Sequence, residues 1–222
     1  MKKLLVVVFI LALQPVFSQV SKSLGEFNAV LVFDKLNVKL IAANENKVVI
    51  EGDRQYEVEV VNKNGNLKLR MPFPRVLAGE NISVTVYYKK IDEVEASEGS
   101  MVSSDDIFSA TIFNVSAREG AKIKLKVAAE KLNTRVVTGA DVTITGTAIN
   151  HDASLLTGGI LDSRDLITSQ TSISVSAGGT AQIYATALVD AKVRAGGSIF
   201  IFGKPKQINK ATVFGGKIEE KI

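Results

Sequence analysis

The residues best placed for chemistry are Asp162, Arg164 and Asp165, packed within a few positions of one another. Two carboxylates beside a guanidinium suit a polysaccharide hydrolase or lyase, in which one carboxyl protonates, another accepts, and a cation holds developing charge. Asp105-Asp106 forms a second acidic pair. Carboxylates on one face also suit calcium, but neither an EF-hand loop nor a nonapeptide calcium repeat is present. Aspartate fills turns so commonly that solvated corners account for both groups. Asp162, Arg164 and Asp165 therefore stand as a candidate surface cluster, with no catalytic, cofactor-binding or metal-ligating role assigned to any residue.

The lone His151 stands between Asn150 and Asp152, a setting that reads as a solvated bend. One histidine without cysteine does not make a zinc set. No nucleophile-elbow motif supports a Ser-His-Asp arrangement. The Gly-Gly pairs lack the strand–loop–helix setting and following Lys-Ser/Thr of a phosphate cradle. Basic residues lie scattered without interleaved aromatics, which argues against a nucleic-acid platform.

The elements that must position these residues are strands. Hydrophobic residues make up 46% of the 222 but aromatics only 6%, so the core is aliphatic. There are 17 Gly, 4 Pro and no Cys, which excludes disulfides and thiolate sites.

Met1-Lys2-Lys3, the apolar run Leu4 to Leu13, Pro15 and a cleavage point after Ser18 follow the plan of a secretory signal peptide over 1–18. A retained anchor is the rival reading, but the run is only about half the roughly 20 residues that span a bilayer. Export without disulfides leaves burial and hydrogen bonding to hold the fold. Removing Lys2 and Lys3 leaves 25 of the 27 basic residues against 23 acidic ones, near +2, too weak to imply nucleic acid or an anionic membrane. No later segment is long and apolar enough to span a membrane, so a soluble or surface-held chain is expected.

Residues 19–90 read as five or six antiparallel strands. Leu36, Val38 and Leu40 alternate with polar neighbours, as do Val58 with Val60 and Ile82 with Val84 and Val86. Asn64-Gly65 marks a hairpin, and Pro72-Phe73-Pro74 a loop.

Residues 91–222 repeat. Small-residue corners fall at Glu98-Gly99, Glu119-Gly120, Gly139-Ala140, Gly158-Gly159, Gly178-Gly179, Gly196-Gly197 and Gly215-Gly216, in steps of 21, 20, 19, 20, 18 and 19 residues. Val142 and Ile144, Ala181 and Ile183, and Ile199 and Ile201 follow their corners at matching distances. Ile123 and Leu125 carry that pattern one step late. Asn133, Asp152 and Asp190 read as a further recurring bend. One such unit cannot bury its apolar columns, but stacked units bury a continuous ladder. The fold expected is all-β: a right-handed parallel β-helix-like solenoid of about 20-residue coils, capped by the antiparallel strands before it. A β-sandwich of short hairpins is the competing structure.

The stretch Ala195-Gly196-Gly197-Ser198-Ile199-Phe200-Ile201-Phe202-Gly203-Lys204-Pro205 resembles the closing motif of the putative auto-transporter adhesin, head GIN domain family, typical of Bacteroidetes envelope proteins. Ile82 to Tyr88, followed by Ile91 and Val94, resembles its middle strand, and Phe33 to Val38 its first. The likeness runs over roughly 27–219 and implies export and a β-helical body. The departure is Asp162 to Asp165, which interrupts the alternation and leaves the register of that rung open.

Export, a long repeat surface and the lack of a catalytic constellation together predict a non-catalytic envelope or surface module in the periplasm or on the outer cell surface. Its expected work is adhesion or the binding of a cell-surface glycan or an envelope protein, and no cofactor is expected. A carbohydrate-active lyase or hydrolase using Asp162 and Asp165 is the alternative. An oligomeric scaffold pairing through coil edges is another.

Overall fold

The computed structural model describes residues 19–221, so the expected signal peptide lies outside the described residues. Alternating apolar and polar residues become strands in which every second side chain turns inward. The first are β1 (Val20–Ser23), β2 (Ala29–Val32), β3 (Asn37–Ala42), β4 (Lys47–Gly52), β5 (Glu59–Lys63), β6 (Asn66–Arg70), β7 (Ile82–Tyr88) and β8 (Glu93–Ala96). A single 3-10 turn, Gln55–Glu57, is the one helical element among the described residues.

The coils follow. β9 (Met101–Ala117), β10 (Lys122–Val137) and β11 (Asp141–Leu156) each run unbroken from one corner to the next. Later coils divide into two strands: β12 (Ile160–Ser163) with β13 (Leu166–Ser176), β14 (Thr180–Tyr184) with β15 (Leu188–Arg194), and β16 (Ser198–Phe202) with β17 (Gln207–Val213). β18 (Lys217–Glu220) opens the last.

All pairings between coils are parallel, and all eighteen strands join one sheet. The chain is an all-β solenoid with coils of about 19 residues. Each coil places an aliphatic residue on the one before, as in the column Val102, Ile123, Val142, Leu161, Ala181 and Ile199. All six are buried. Ile123 is thus in phase with Val142 rather than one step late, because Gly120 matches Gly139 and not Ala140.

Each corner is a pair of residues with positive φ, for example Thr138 at 53° and Gly139 at 68°. That is the geometry of a type I′ turn, whose second position favours glycine. The next residue has a different need. A Cβ on Gly139 would meet nothing within 4 Å, whereas one on Gly197 would lie 2.7 Å from the Gly179 carbonyl oxygen. Conformation demands the first glycine throughout, whereas the second position takes Ser100, Ala121 or Ala140 in the early coils and becomes glycine in the later ones, where at Gly197 close stacking adds to a φ of 115°.

The N-terminal region is mixed rather than wholly antiparallel. β1–β4, β4–β7 and β5–β6 pair antiparallel as expected, and Asn64-Gly65 turns the β5–β6 hairpin. β2 and β3 differ, pairing parallel with β6, β7, β8 and β9. They make a coil of their own, turned by Asp34 and Lys35 with φ of 61° and 60°. That corner lacks glycine, which hides the coil in the sequence. Asp34 holds it by accepting the Met71 and Leu77 N–H groups, each at 2.9 Å.

At the other end the inward columns turn polar. Lys210 follows Ala191, Glu220 follows Ile201, and the two pair at 2.7 Å. Inward-pointing charge of this kind discourages edge-to-edge pairing.

Candidate functional site

The candidate cluster sits where the coil changes length. Asp141 pairs with Ile160, a step of 19, but Gly146 pairs with Leu166, a step of 20. The added residue is absorbed by a turn at Arg164-Asp165, which resolves the open register. Ser163 then takes a buried inward position and donates its hydroxyl to the Gln182 carbonyl at 2.9 Å.

On the next coil the bend shortens, since Ser163 pairs with Ile183 but Gln170 with Leu188. On the one after it lengthens again through Gly203 to Lys206, because Tyr184 pairs with Phe202 but Leu188 with Gln207. Long, short and long bends stacked together leave a recess. Tyr184 and Phe202 lie side by side in it, both half-buried. Arg164 follows Ser163 and Lys221 follows Glu220, so a cation brackets the aromatic pair on each side. Arg164, Asp165, Tyr184, Phe202, Lys204 and Lys221 line this recess of about 410 Å³.

The surroundings fix the platform. Thr168 Oγ1 donates to the Tyr184 carbonyl at 2.5 Å, and Thr171 Oγ1 donates to the same oxygen at 3.3 Å. Gly203 lies on the Tyr184 ring, where a Cβ would approach Cε1 to 2.6 Å. Lys221 Nζ stands 5.0 Å from the Phe200 ring centroid, a cation–π distance.

The charges are mostly committed to one another. Arg164 clamps Asp162 through Nη2 at 2.6 Å and Nε at 3.1 and 3.2 Å. Those hydrogen bonds hold the Asp162 carboxyl below its ordinary range. Lys221 pairs with Glu219 at 3.0 Å. Lys204 and Asp165 add one charge of each sign, so the recess is polar and close to neutral.

The other sequence candidates lie elsewhere. Asp105 and Asp106 sit on an irregularity of β9, where Asp105 pairs with Lys39 at 2.8 Å and Asp106 accepts the Ala42 N–H at 2.7 Å. They are fastened to β3. His151 is not solvated but 1% exposed, pointing inward from β11 with Nε2 3.0 Å from Thr134 Oγ1. Desolvation pushes its pKa down to about 4, which keeps the ring neutral. Asn133, Asp152 and Asp190 are not bends either; they stand in strands, in one outward column. Among the described residues no group of three or more His, Cys, Asp or Glu is arranged to hold a metal.

The profile of the family described as "Putative auto-transporter adhesin, head GIN domain" matches residues 26–205. The chain belongs to that family. The matched head GIN segment carries Arg164, Tyr184 and Phe202, and it ends before Lys221. A putative adhesin from Bacteroides fragilis has a similar solved structure, with a TM-score of 0.85 and 18% identity over 92% of this chain and 96% of that one. A putative adhesin from Parabacteroides distasonis gives 0.75 and 17% over the same shares. A putative lipid binding protein, also from Parabacteroides distasonis, gives 0.64 and 10%, over 92% and 97%. At these identities the likeness is one of fold. No curated protein matches the chain. For this head GIN chain, sequence reasoning found Arg164 and Asp165 from broken alternation. Tyr184 and Phe202 went unplaced, and the 18-residue step between them was the available signal.

Proposed function

We propose that this head GIN chain is a non-catalytic module of the cell envelope, exported by segment 1–18 to the periplasm or outer surface, that adheres by binding neutral glycans on the Tyr184–Phe202 platform. The observation that carries the reading is that aromatic pair in register, bracketed by Arg164 and Lys221. An aromatic face is electron-rich and attracts the C–H face of a pyranose ring, while the polar rim meets its hydroxyls. Balanced charge around the rings favours an uncharged sugar. Family membership supports a surface role, and no helix among the described residues is long and apolar enough to cross a membrane.

The clamp on Asp162 works against the hydrolase alternative. A general acid needs a raised pKa, and Arg164 drives this carboxyl the other way. The Lys210–Glu220 pair works against scaffolding by end-to-end stacking.

The test is an array of neutral and acidic oligosaccharides probed with residues 19–222, repeated with Tyr184→Ala and Phe202→Ala. Neutral sugars should be retained, with either substitution weakening them about tenfold or more. Retention of none, or retention indifferent to both substitutions, would remove the reading and turn the search to a protein partner.

A further inference from the structure

A second face of the solenoid carries a groove of different character. It crosses β9, β10, β11 and β13, opens to solvent and holds about 500 Å³. Val115, Thr134, Ala153 and Ile173 are its buried floor. One wall is the ladder Glu93, Asn114, Asn133, Asp152 and Ser172, and the other is Ser116, Arg135, Ser154 and Ser174, so that Glu93 stands at one end and Lys192 at the other. Neither wall holds an aromatic ring, so nucleic-acid bases have nothing to stack on.

Several of the polar and charged groups here are already partnered. Asn133 Nδ2 donates to Asn114 Oδ1 at 2.9 Å, Lys131 pairs with Asp152 at 2.8 Å, and Lys192 lies 3.6 Å from Asp190. The Arg135 side chain is not: among the described residues its guanidinium makes no hydrogen bond or ion pair. A free guanidinium between Ser116 and Ser154 offers a fork of donors to a carboxylate, with hydroxyls on either side.

We infer that this groove binds a linear acidic polysaccharide, a chain of carboxylate-bearing sugars laid along the solenoid axis. The length argues for a polymer: four strands at about 4.8 Å spacing give on the order of 15 Å. The chemistry of the walls argues for sugar over peptide. The backbone of the floor is spent in parallel pairing on both sides, so an extended peptide finds no strand edge to join. Side-chain hydroxyls and amides remain, and these suit sugar hydroxyls. Glu93 repels an anion at the β8 end, so the acidic chain lies over the stretch from Arg135 to Lys192, where recurring carboxylates meet a cation at each end. This site is separate from the platform and does not depend on it.

Calorimetry with oligogalacturonate tests it, with the methyl ester of the same oligomer as the uncharged control. The wild-type chain should bind the acid and not the ester, and should do so more weakly as salt rises. Arg135→Gln, at an exposed position, should keep the unfolding midpoint and weaken binding at least about tenfold. Tyr184→Ala should leave this binding unchanged while removing neutral sugars. No binding by the wild type, equal binding of the ester, or indifference to Arg135→Gln would overturn the inference. Equal, Arg135-dependent binding of poly-aspartate would overturn the assignment to a sugar, and loss on Tyr184→Ala would move the ligand to the platform.

Discussion

Two bends of the same coil behave in opposite ways. At the corner every coil from Glu98-Gly99 to Phe214-Gly215 turns with the same pair of positive φ values. At the bend beside Tyr184 β10 and β11 still agree, with Val127 on Gly146, but no later coil matches the one before it: Arg164-Asp165 adds a residue, and the following bends shorten and lengthen. In a solenoid each coil answers only to its neighbours, so one bend can vary while the others keep the stack in phase. The constant bend carries stability, and the variable one carries the recess.

Gly197→Ala should break the constant bend with the largest effect. Its Cβ would fall 2.7 Å from both the Gly179 oxygen and Val175 Cγ1, at a φ of 115° that L residues avoid. A loss of about 4 kcal/mol in chemical denaturation is expected. Gly196→Ala, one residue earlier, meets only open space and the cost of its φ. About 1 kcal/mol is expected there. Equal losses would refute the division between a conformational and a packing glycine.

His151 tests the interior behind the variable bend. Its pKa is about 4 in the fold against 6.5 for the ordinary side chain. Between those values the unfolded chain binds a proton that the folded chain refuses, so stability falls as pH drops from about 6.5 toward 4 and then levels off. The loss approaches about 3 kcal/mol. His151→Gln keeps a hydrogen-bonding partner for Thr134 and should flatten that part of the pH–stability curve. A curve as steep as wild type would place the titration elsewhere.

The smallest stability effect belongs to the platform. Tyr184→Ala, at a half-buried ring, should cost about 1 kcal/mol or less in unfolding while removing neutral-glycan binding. A much larger loss would make the ring part of the core.

These contrasts also explain what the sequence disclosed. Corner glycines are legible because few other residues accept their φ, so the coil count emerges from spacing alone. The β2–β3 coil is hidden because Asp34 and Lys35 turn it without glycine, relying on contacts from Met71 and Leu77 that only the fold brings near. His151 misleads because Asn150 and Asp152 look like a turn, although they are the outward residues flanking an inward one. The Arg164–Asp165 insertion is visible as a break in alternation. Its neighbours Tyr184, Phe202 and Lys221 come from separate coils, and only the stacking register makes them one site.

The most direct measurement of the central claim is a proton NMR titration with the neutral oligosaccharide best retained on the array, following the assigned ring resonances of Tyr184 and Phe202. Shifts at both, saturating together while Tyr87 and Tyr56 stay still, are the result expected of a sugar stacked on the platform. Saturable binding that leaves both rings unmoved would contradict it.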